Sequence, residues 1–439
     1  MPDICSYHEL GKLDHGARAS LLKRAETDNS IFVEKVRPII QAVREEGDAA
    51  LLRLARELDK VDVKPGTLKV SEEEFERAFK SVNREVIASV KFAIENIRNF
   101  HEEQRPDPMW LKEIRPGAFA GDRWTSISSV ALYVPRGKGS FPSVTMMASV
   151  PAVVAGVKQV AIVTPPTPDG SVDAATLVAA RLAGVETVYK CGGAQAVAAV
   201  AFGTETVRSA IKIVGPGSPW VVAAKRLLSD IIDTGLPAGP SEALIFADET
   251  IDGRLAALDL LIEAEHGPDS SAYLVTHSRK VAEAARLVLP DLWSRMTPQR
   301  VDFSRSVLTG GRGGIILTRS VEESYEFIND YAPEHLEILS TEPFGHLGSI
   351  TDASEILMGP LTPTTLANFV LGPNAVLPTS RWARTYGPLS VTDFLKRSSI
   401  GYVTSKAYPE LATHARRLAQ YEGFSSHENA ISEIRNQFL

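Results

Sequence analysis

Cysteine is almost missing from this sequence: Cys5 and Cys191 are the only two in 439 residues. Two thiols cannot build a disulfide framework, which excludes the stapled secreted class and fits a reducing cytoplasm. No apolar run reaches the length a membrane span needs. The start, Met1 to Glu9, has neither a basic n-region nor an apolar h-region, so no secretory signal is expected. Positive charge is not in excess either. Lys and Arg number 47 against 54 Asp and Glu, a net charge of −7, which argues against a broad nucleic-acid surface. There is no internal repeat, no low-complexity segment and no G-x-G-x-x-G. What remains is 44% hydrophobic and 23% charged, ordinary for a soluble globular protein. The length calls for two or three domains.

The first hundred residues read as helix after helix. Ala17–Arg24, Ile31–Leu58, Ser71–Phe79 and Ser81–Gln104 carry apolar residues at three- and four-residue spacing. Ser71 followed by Glu74 predicts a capping box, and Asp59–Gly66 is a turn-rich break. Near Trp124 the pattern changes. Strands are expected at Val130–Val134, Gln159–Thr164, Thr187–Lys190 and Ala210–Val214, each followed by a helix. From Ala243 the alternation resumes through Ala272–Thr276 and Gly313–Leu317 to a helix at Ser320–Asp330. This order predicts parallel sheets with βαβ crossovers, with ligands at the carboxyl ends of the strands. Glycine-bearing loops fall at such ends: Pro135–Ser140, Gly192-Gly193 and Gly215-Pro-Gly-Ser218. They suit a phosphate-bearing cofactor, although each alone is an ordinary strand-to-helix turn. Leu361–Thr379 is turn-rich, and the tail from Tyr408 to Leu439 is mainly helical.

Chemistry concentrates at two places. A largely apolar run, Leu255–Ile262, leads into Glu263, His266 and the helix-stopping Gly267-Pro268. Glu263 and His266 are three apart and share one face of the last turn. Such a pair can hold zinc or share a proton, but in isolation it is more often a solvated helix end. Further on, Pro333 breaks a helix and leaves Glu334 and His335 adjacent on a loop or short strand. Neighbouring side chains point different ways, which suits two roles better than one shared ion; a plain surface turn is the alternative. His427, alone in the first turn of the last helix, would more often be structural than a ligand.

Together these pieces resemble the histidinol dehydrogenase family over nearly the whole chain. The segments that carry the likeness include Leu132-Tyr-Val-Pro135, Gly192-Gly-Ala-Gln195, Gly215-Pro-Gly217, Pro237-Ala-Gly-Pro-Ser-Glu242, Ala264-Glu-His-Gly-Pro-Asp-Ser270, Ala332-Pro-Glu-His-Leu336, Val376-Leu-Pro-Thr379 and Glu422-Gly-Phe-x-x-His427. The resemblance implies an α/β fold of two incomplete Rossmann-like domains with parallel sheets, plus helical N-terminal and C-terminal extensions. Residues 1–28 would be the N-terminal extension. Residues 29–128 and 243–385 would form the first, discontinuous Rossmann-like domain, which carries the metal and catalytic residues. Residues 129–242 would form the second, NAD-binding one. Residues 386–439 would complete the partner subunit's site in an intertwined cytoplasmic homodimer, with no nucleic-acid or membrane partner. It also implies zinc and NAD as cofactors and a small alcohol taken through the aldehyde to the carboxylate. Glu334 and His335 match the catalytic pair, His335 taking the alcohol proton and Glu334 activating water. Tyr133, Gln195 and Ser218 match cofactor contacts. Glu263, His266, Asn368 and His427 fall at the four zinc-ligand positions; these, with Ser241, His335 and Glu422, are the implied substrate contacts.

The departures bear on substrate. The family usually has Gln where this chain has Glu263, and Asp where it has Asn368. One amide became a carboxylate and one carboxylate an amide, so the ligand charge is unchanged. The family's Asn-His before Val-Leu-Pro-Thr is Asn374-Ala375, and its usual Asn after Gly-Pro-Gly is Ser218. Arg136 and Lys138 bind an anionic group or are solvated; the sequence supports both equally. These changes favour a small polar alcohol other than histidinol. Histidinol itself and a noncatalytic NAD- and metal-binding paralogue are the alternatives. The family also has a branch acting on sulfopropanediol, to which no residue read here assigns the chain.

Overall fold

A computed structural model describes residues 4–24, 30–136 and 139–438. Its centre is a six-stranded, wholly parallel sheet. The strand order is Tyr7–Glu9, Gly313–Leu317, Ser271–Thr276, Glu242–Ala247, His335–Leu339 and Glu355–Met358. The inner strands are buried along their whole length, so they are near-continuous apolar runs, as a sheet covered on both faces requires. Side-chain alternation separates two cores. Ile245, Ala247, Leu274 and Ile315 pack under helices Gly253–Ala264, Arg279–Trp293 and Pro298–Thr309. Leu244, Phe246, Val275, Leu336 and Ile338 pack under helix Val321–Tyr331. At Gly253 a Cβ would stand 2.2 Å from the Val281 carbonyl, so two helices touch there only through glycine.

A second parallel sheet has the order Thr187–Lys190, Gln159–Thr164, Ser129–Tyr133 and Ile213–Val214. One face, with Val130, Leu132 and Ile162, is covered by helices Pro142–Val154, Ala174–Ala183, Glu72–Ser81 and Arg84–Glu103. The other, with Ala131, Tyr133 and Val163, is covered by Gly193–Phe202, Pro219–Leu228, Ser30–Glu46 and Asp48–Leu54. The helices of residues 30–103 therefore pack on this smaller sheet, whereas the expected division placed 29–128 with 243–385. An amphipathic pattern shows that a helix has an apolar face but not which sheet that face will meet.

Other differences are local. The N-terminal segment, expected as a helical extension, supplies an edge strand, with Tyr7 beside Ile315. The single helix expected over Ile31–Leu58 breaks at Gly47 (φ +57°) and ends in a wider π turn, Ala55–Asp59. The capping box at Ser71 and Glu74 is present. An antiparallel ribbon of Met109–Arg115, Ala118–Ser126 and Leu395–Val403 was not anticipated. Its outer strand is exposed throughout, so it lacks the alternation that reveals a half-buried strand. Beyond the ribbon the tail forms helices Tyr408–Tyr421, Ser425–Asn429 and Glu433–Asn436. Among the described residues, no helix is long and apolar enough to cross a membrane.

Candidate active site

The chemistry gathers at the amino edge of the large sheet. Glu242, His335 and Glu355 are the first residues of three neighbouring strands, with His335 in register with Ala243 and Glu355. The carboxyl-end rule therefore fails for this sheet. In the smaller sheet the loops expected to meet a cofactor do lie at the carboxyl ends, its strands running into Val134-Pro135, Cys191-Gly192 and Gly215.

Helix Val321–Tyr331 stops at Ala332, whose φ of +51° is left-handed. Pro333 follows and the chain enters the sheet at His335, so the loop-or-strand alternative resolves to a strand start. Glu334 and His335 are both buried. Glu334 Oε2 accepts from the Glu242 amide at 2.8 Å. Burial drives the Glu334 carboxyl well above the usual range; the nearby Glu263 charge adds to this, and His335 opposes it. His335 Nδ1 lies 2.7 Å from Glu355 Oε2. A carboxylate only accepts, so Nδ1 carries the proton and Nε2 is the working nitrogen. Nε2 is 4.0 Å from Glu334 Oε1. Burial disfavours the charged ring, but the Glu355 hydrogen bond and the field of Glu334 outweigh it and raise His335 to about 10. The arrangement is a base oriented by one carboxyl group and faced by a second, with one proton's charge favoured between His335 and Glu334.

Helix Gly253–Ala264 brings Glu263 to the same place. Its carboxylate is almost fully buried and accepts from Asn368 Nδ2 at 3.0 Å, with His266 Nδ1 3.2 Å from its other oxygen. Burial would raise Glu263, but His266, His335, Asn368 and Ser241 hold it below the usual range. His266 Nδ1 also lies 3.0 Å from the Ile262 carbonyl. That fixes the proton on Nδ1 and leaves the Nε2 lone pair free to ligate. Glu263, His266 and Asn368 thus come together, and Ser241 joins them through its bond to Glu263. The two exchanged positions face each other across one hydrogen bond, the Asn368 amide donating to the Glu263 carboxylate.

Glu422 and His427 do not join this group within one chain. Both are exposed, on or beside the last short helices, and the His427 ring rests against Phe424 at 5.1 Å. Among the described residues no three His, Cys, Asp or Glu side chains form a metal-sized cluster; Asn368 is the third member here. Ala375 is half-buried against the core of the smaller sheet.

At the carboxyl end of the smaller sheet, Tyr133 Oη accepts from the Gly193 amide at 3.0 Å. Gln195 Nε2 donates to Asp59 Oδ2 at 3.3 Å, and burial raises that Asp59 carboxyl. Gly215, at φ +119°, leaves no room for a Cβ, which would lie 2.2 Å from the Tyr133 carbonyl. Lys225 Nζ donates to the Gly215 carbonyl at 2.7 Å, and burial lowers it to about 8. Ser218 is exposed at the N-cap of Pro219–Leu228. Arg136 is exposed and donates to the Pro166 carbonyl at 2.9 Å; Lys138 lies outside the described residues.

Four partners escaped the sequence reading: Glu242, Glu355, Asp59 and Arg24. Arg24 pairs with Glu242 at 2.8 Å in the interior. For Glu242 a signal existed, a charge opening the apolar run Ala243–Ala247. Glu355 likewise opens a short apolar run, Ile356–Met358, while Asp59 heads a turn-rich break and carries no such signal.

The histidinol dehydrogenase family model matches residues 22–435. A protein named histidinol dehydrogenase homolog 2 from Mesorhizobium japonicum is 78% identical, covering all of both chains. A protein named histidinol dehydrogenase from Synechocystis sp. is 49% identical over 95% of this chain and 96% of its own. The crystal structure of histidinol dehydrogenase from Elizabethkingia anophelis superposes with a TM-score of 0.94 at 28% identity, covering 100% of this chain and 99% of that one. With that family match spanning nearly its whole length, the chain belongs to the histidinol dehydrogenase family, NAD-dependent oxidoreductases acting on CH–OH donors.

Proposed function

We propose that the protein oxidises a small polar alcohol other than histidinol, with NAD as hydride acceptor and zinc at the substrate end, through the aldehyde to the carboxylate. The observation that carries this is the buried group of Glu334, His335 and Glu355 beside Glu263, His266 and Asn368. His335 Nε2 takes the alcohol proton, and Glu355 keeps the ring in the required tautomer. Glu334 serves the second step, moving a proton from water as it adds to the aldehyde. Its raised affinity for protons suits a group that must both take and return one.

The residues present fit a zinc ion. Glu263 offers a carboxylate oxygen, His266 the free Nε2 and Asn368 its carbonyl oxygen, an N/O donor set that zinc accepts. When bound, zinc would polarise the substrate oxygen. A fourth ligand is needed, and His427 of one chain supplies it to the partner's site, with Glu422 beside it. Support for that exchange comes from the tail itself. Leu418, Tyr421, Phe424, Ile434 and Phe438 are exposed there, as are Trp110, Ile114 and Tyr402 on the ribbon. Apolar side chains in such number favour a protein interface, here an intertwined homodimer. The cofactor lies along Tyr133, Gln195 and Ser218. The chain works in the cytoplasm, in keeping with its two buried free thiols.

The substrate reading rests on Glu263, Asn368 and Ala375 departing together from the family pattern, and on the 78% identical relative being named a homolog. Histidinol itself is the second reading. It is favoured by the hydrogen bond between Glu263 and Asn368, which supports reading the exchange as compensated within the pair. His335→Ala tests the chemistry common to both readings. It should abolish oxidation while metal content stays at the wild-type level; an unchanged rate would remove His335 from its role.

A further inference from the structure

Two buried carboxyl side chains take no part in the proton chemistry above. Asp259 is 6% exposed and Glu337 is 1% exposed. Each lies one repeat away from a site residue on the same element. Asp259 precedes Glu263 by four residues on helix Gly253–Ala264. Glu337 follows His335 by two on strand His335–Leu339, on the face turned toward that helix. Thr364 precedes Asn368 by four on helix Thr364–Phe369. These spacings keep each pair on one face.

The three side chains stand together. Glu337 Oε1 accepts from Thr364 Oγ1 at 2.5 Å and from the Thr364 amide. Among the described residues, Glu337 Oε2 is buried with no other hydrogen-bond partner, and Asp259 stands close enough for each carboxyl to shift the other. Two carboxyls attract only with a proton between them. Burial supplies the reason to keep one: it raises both groups, and with Asp259 alongside it lifts Glu337 to about 8. Two rungs therefore cross the same three elements. The outer rung joins Asn368 to Glu263 beside His335, and the inner rung joins Thr364 to Glu337 to Asp259. Helix Thr364–Phe369 has six residues and buries only Thr364 and Ala367. Apolar packing alone gives so short an element little to hold its orientation, whereas hydrogen bonds are directional.

We propose that the inner rung, Asp259–Glu337–Thr364, is the positioning device that holds the Gly253–Ala264 helix, the His335 strand and the Thr364–Phe369 helix at the spacing with which Glu263, His266 and Asn368 bind a divalent cation. This rests on the zinc reading above. The three are positioning residues: they set where the ligands stand and touch neither metal nor substrate.

The test titrates metal-free protein with Zn²⁺ against a chelating dye and follows thermal unfolding of the same samples. Glu337→Gln keeps an acceptor for Thr364 and gains a fixed donor for Asp259, so zinc affinity should stay within about threefold of wild type. Glu337→Ala and Thr364→Val should each weaken zinc by about tenfold or more. Thr364→Val is nearly isosteric, so it keeps the test alive if Glu337→Ala fails to fold. Ser304→Ala is the control. It removes the hydroxyl that accepts from Trp293 Nε1 at 2.6 Å between two other helices, and should lower the unfolding temperature without moving zinc affinity. Wild-type affinity in Thr364→Val, or equal damage from Glu337→Gln and Glu337→Ala, overturns the proposal. A wild-type protein that takes up no zinc overturns the metal reading and this inference with it, and that result is visible before any substitution is made.

Discussion

At the scale of single residues the account turns on where protons sit. Glu355 contributes charge and orientation to His335 through one 2.7 Å contact. Glu355→Gln keeps an acceptor but removes the charge that helps raise the ring. A base works when neutral, so activity rises with pH through its pKa. Glu355→Gln should move the rising limb of kcat/KM down by about one pH unit and lower kcat about tenfold. Superimposable pH profiles would show that Glu355 does not tune the base. Glu337 gives a stability prediction whose sign can be worked out. Folded, it keeps its proton to about pH 8; unfolded, it loses it near the ordinary value of about 4.3. Between those limits the native state binds more protons, so stability falls as pH rises, by up to about 1.4 kcal/mol per pH unit. Glu337→Gln cannot titrate. Its stability relative to wild type, from urea midpoints, should improve steadily from pH 5 to pH 8; a constant difference would contradict the buried proton. Residues of this kind were only partly legible. Glu263, His266, Glu334 and His335 stood out through their neighbours in sequence. Asp259, Glu337 and Glu242 are charges inside apolar runs, a visible anomaly with no visible partner. Glu355 is twenty residues from His335, and only the strand register brings the two together.

Among the elements, the decisive feature is that three parallel strands begin side by side with Glu242, His335 and Glu355. Chain order showed alternation and hence parallel sheets. Nothing in one strand's sequence shows which strand lies beside it, so the amino-edge position of the site could not be read. The helices of residues 30–103 were legible as helices but not as the cover of the smaller sheet. The exposed ribbon gave no periodic signal. Where helices touch closely the sequence does speak, through glycine. Gly253→Ala would drive a methyl against the Val281 carbonyl. It should cost about 1–3 kcal/mol of unfolding free energy, measured by urea titration, because two packed helices must separate. A cost near zero would mean that this helix pair is looser than it stands here.

For the whole molecule, the question is how Glu422 and His427 reach the site they resemble members of. Both are exposed on the tail of their own chain, away from Glu263. The proposed exchange of tails makes mixed dimers informative. His335→Ala and His427→Ala homodimers should each be inactive. Co-folded together, they should recover about one quarter of wild-type activity, since random pairing makes half the dimers mixed and each mixed dimer carries one intact site. No recovery would count against the exchange of tails.

The measurement closest to the central claim is NADH formed per alcohol consumed, by zinc-loaded protein, across a panel of polar alcohols that includes L-histidinol and sulfopropanediol. The account predicts strong turnover of a small polar alcohol other than histidinol, with two NADH per molecule. One NADH per molecule would stop the reaction at the aldehyde or ketone and remove Glu334 from a second step. Strong turnover of histidinol would make Glu263, Asn368 and Ala375 neutral variations. NAD binding with no turnover of any alcohol would contradict the account at its centre.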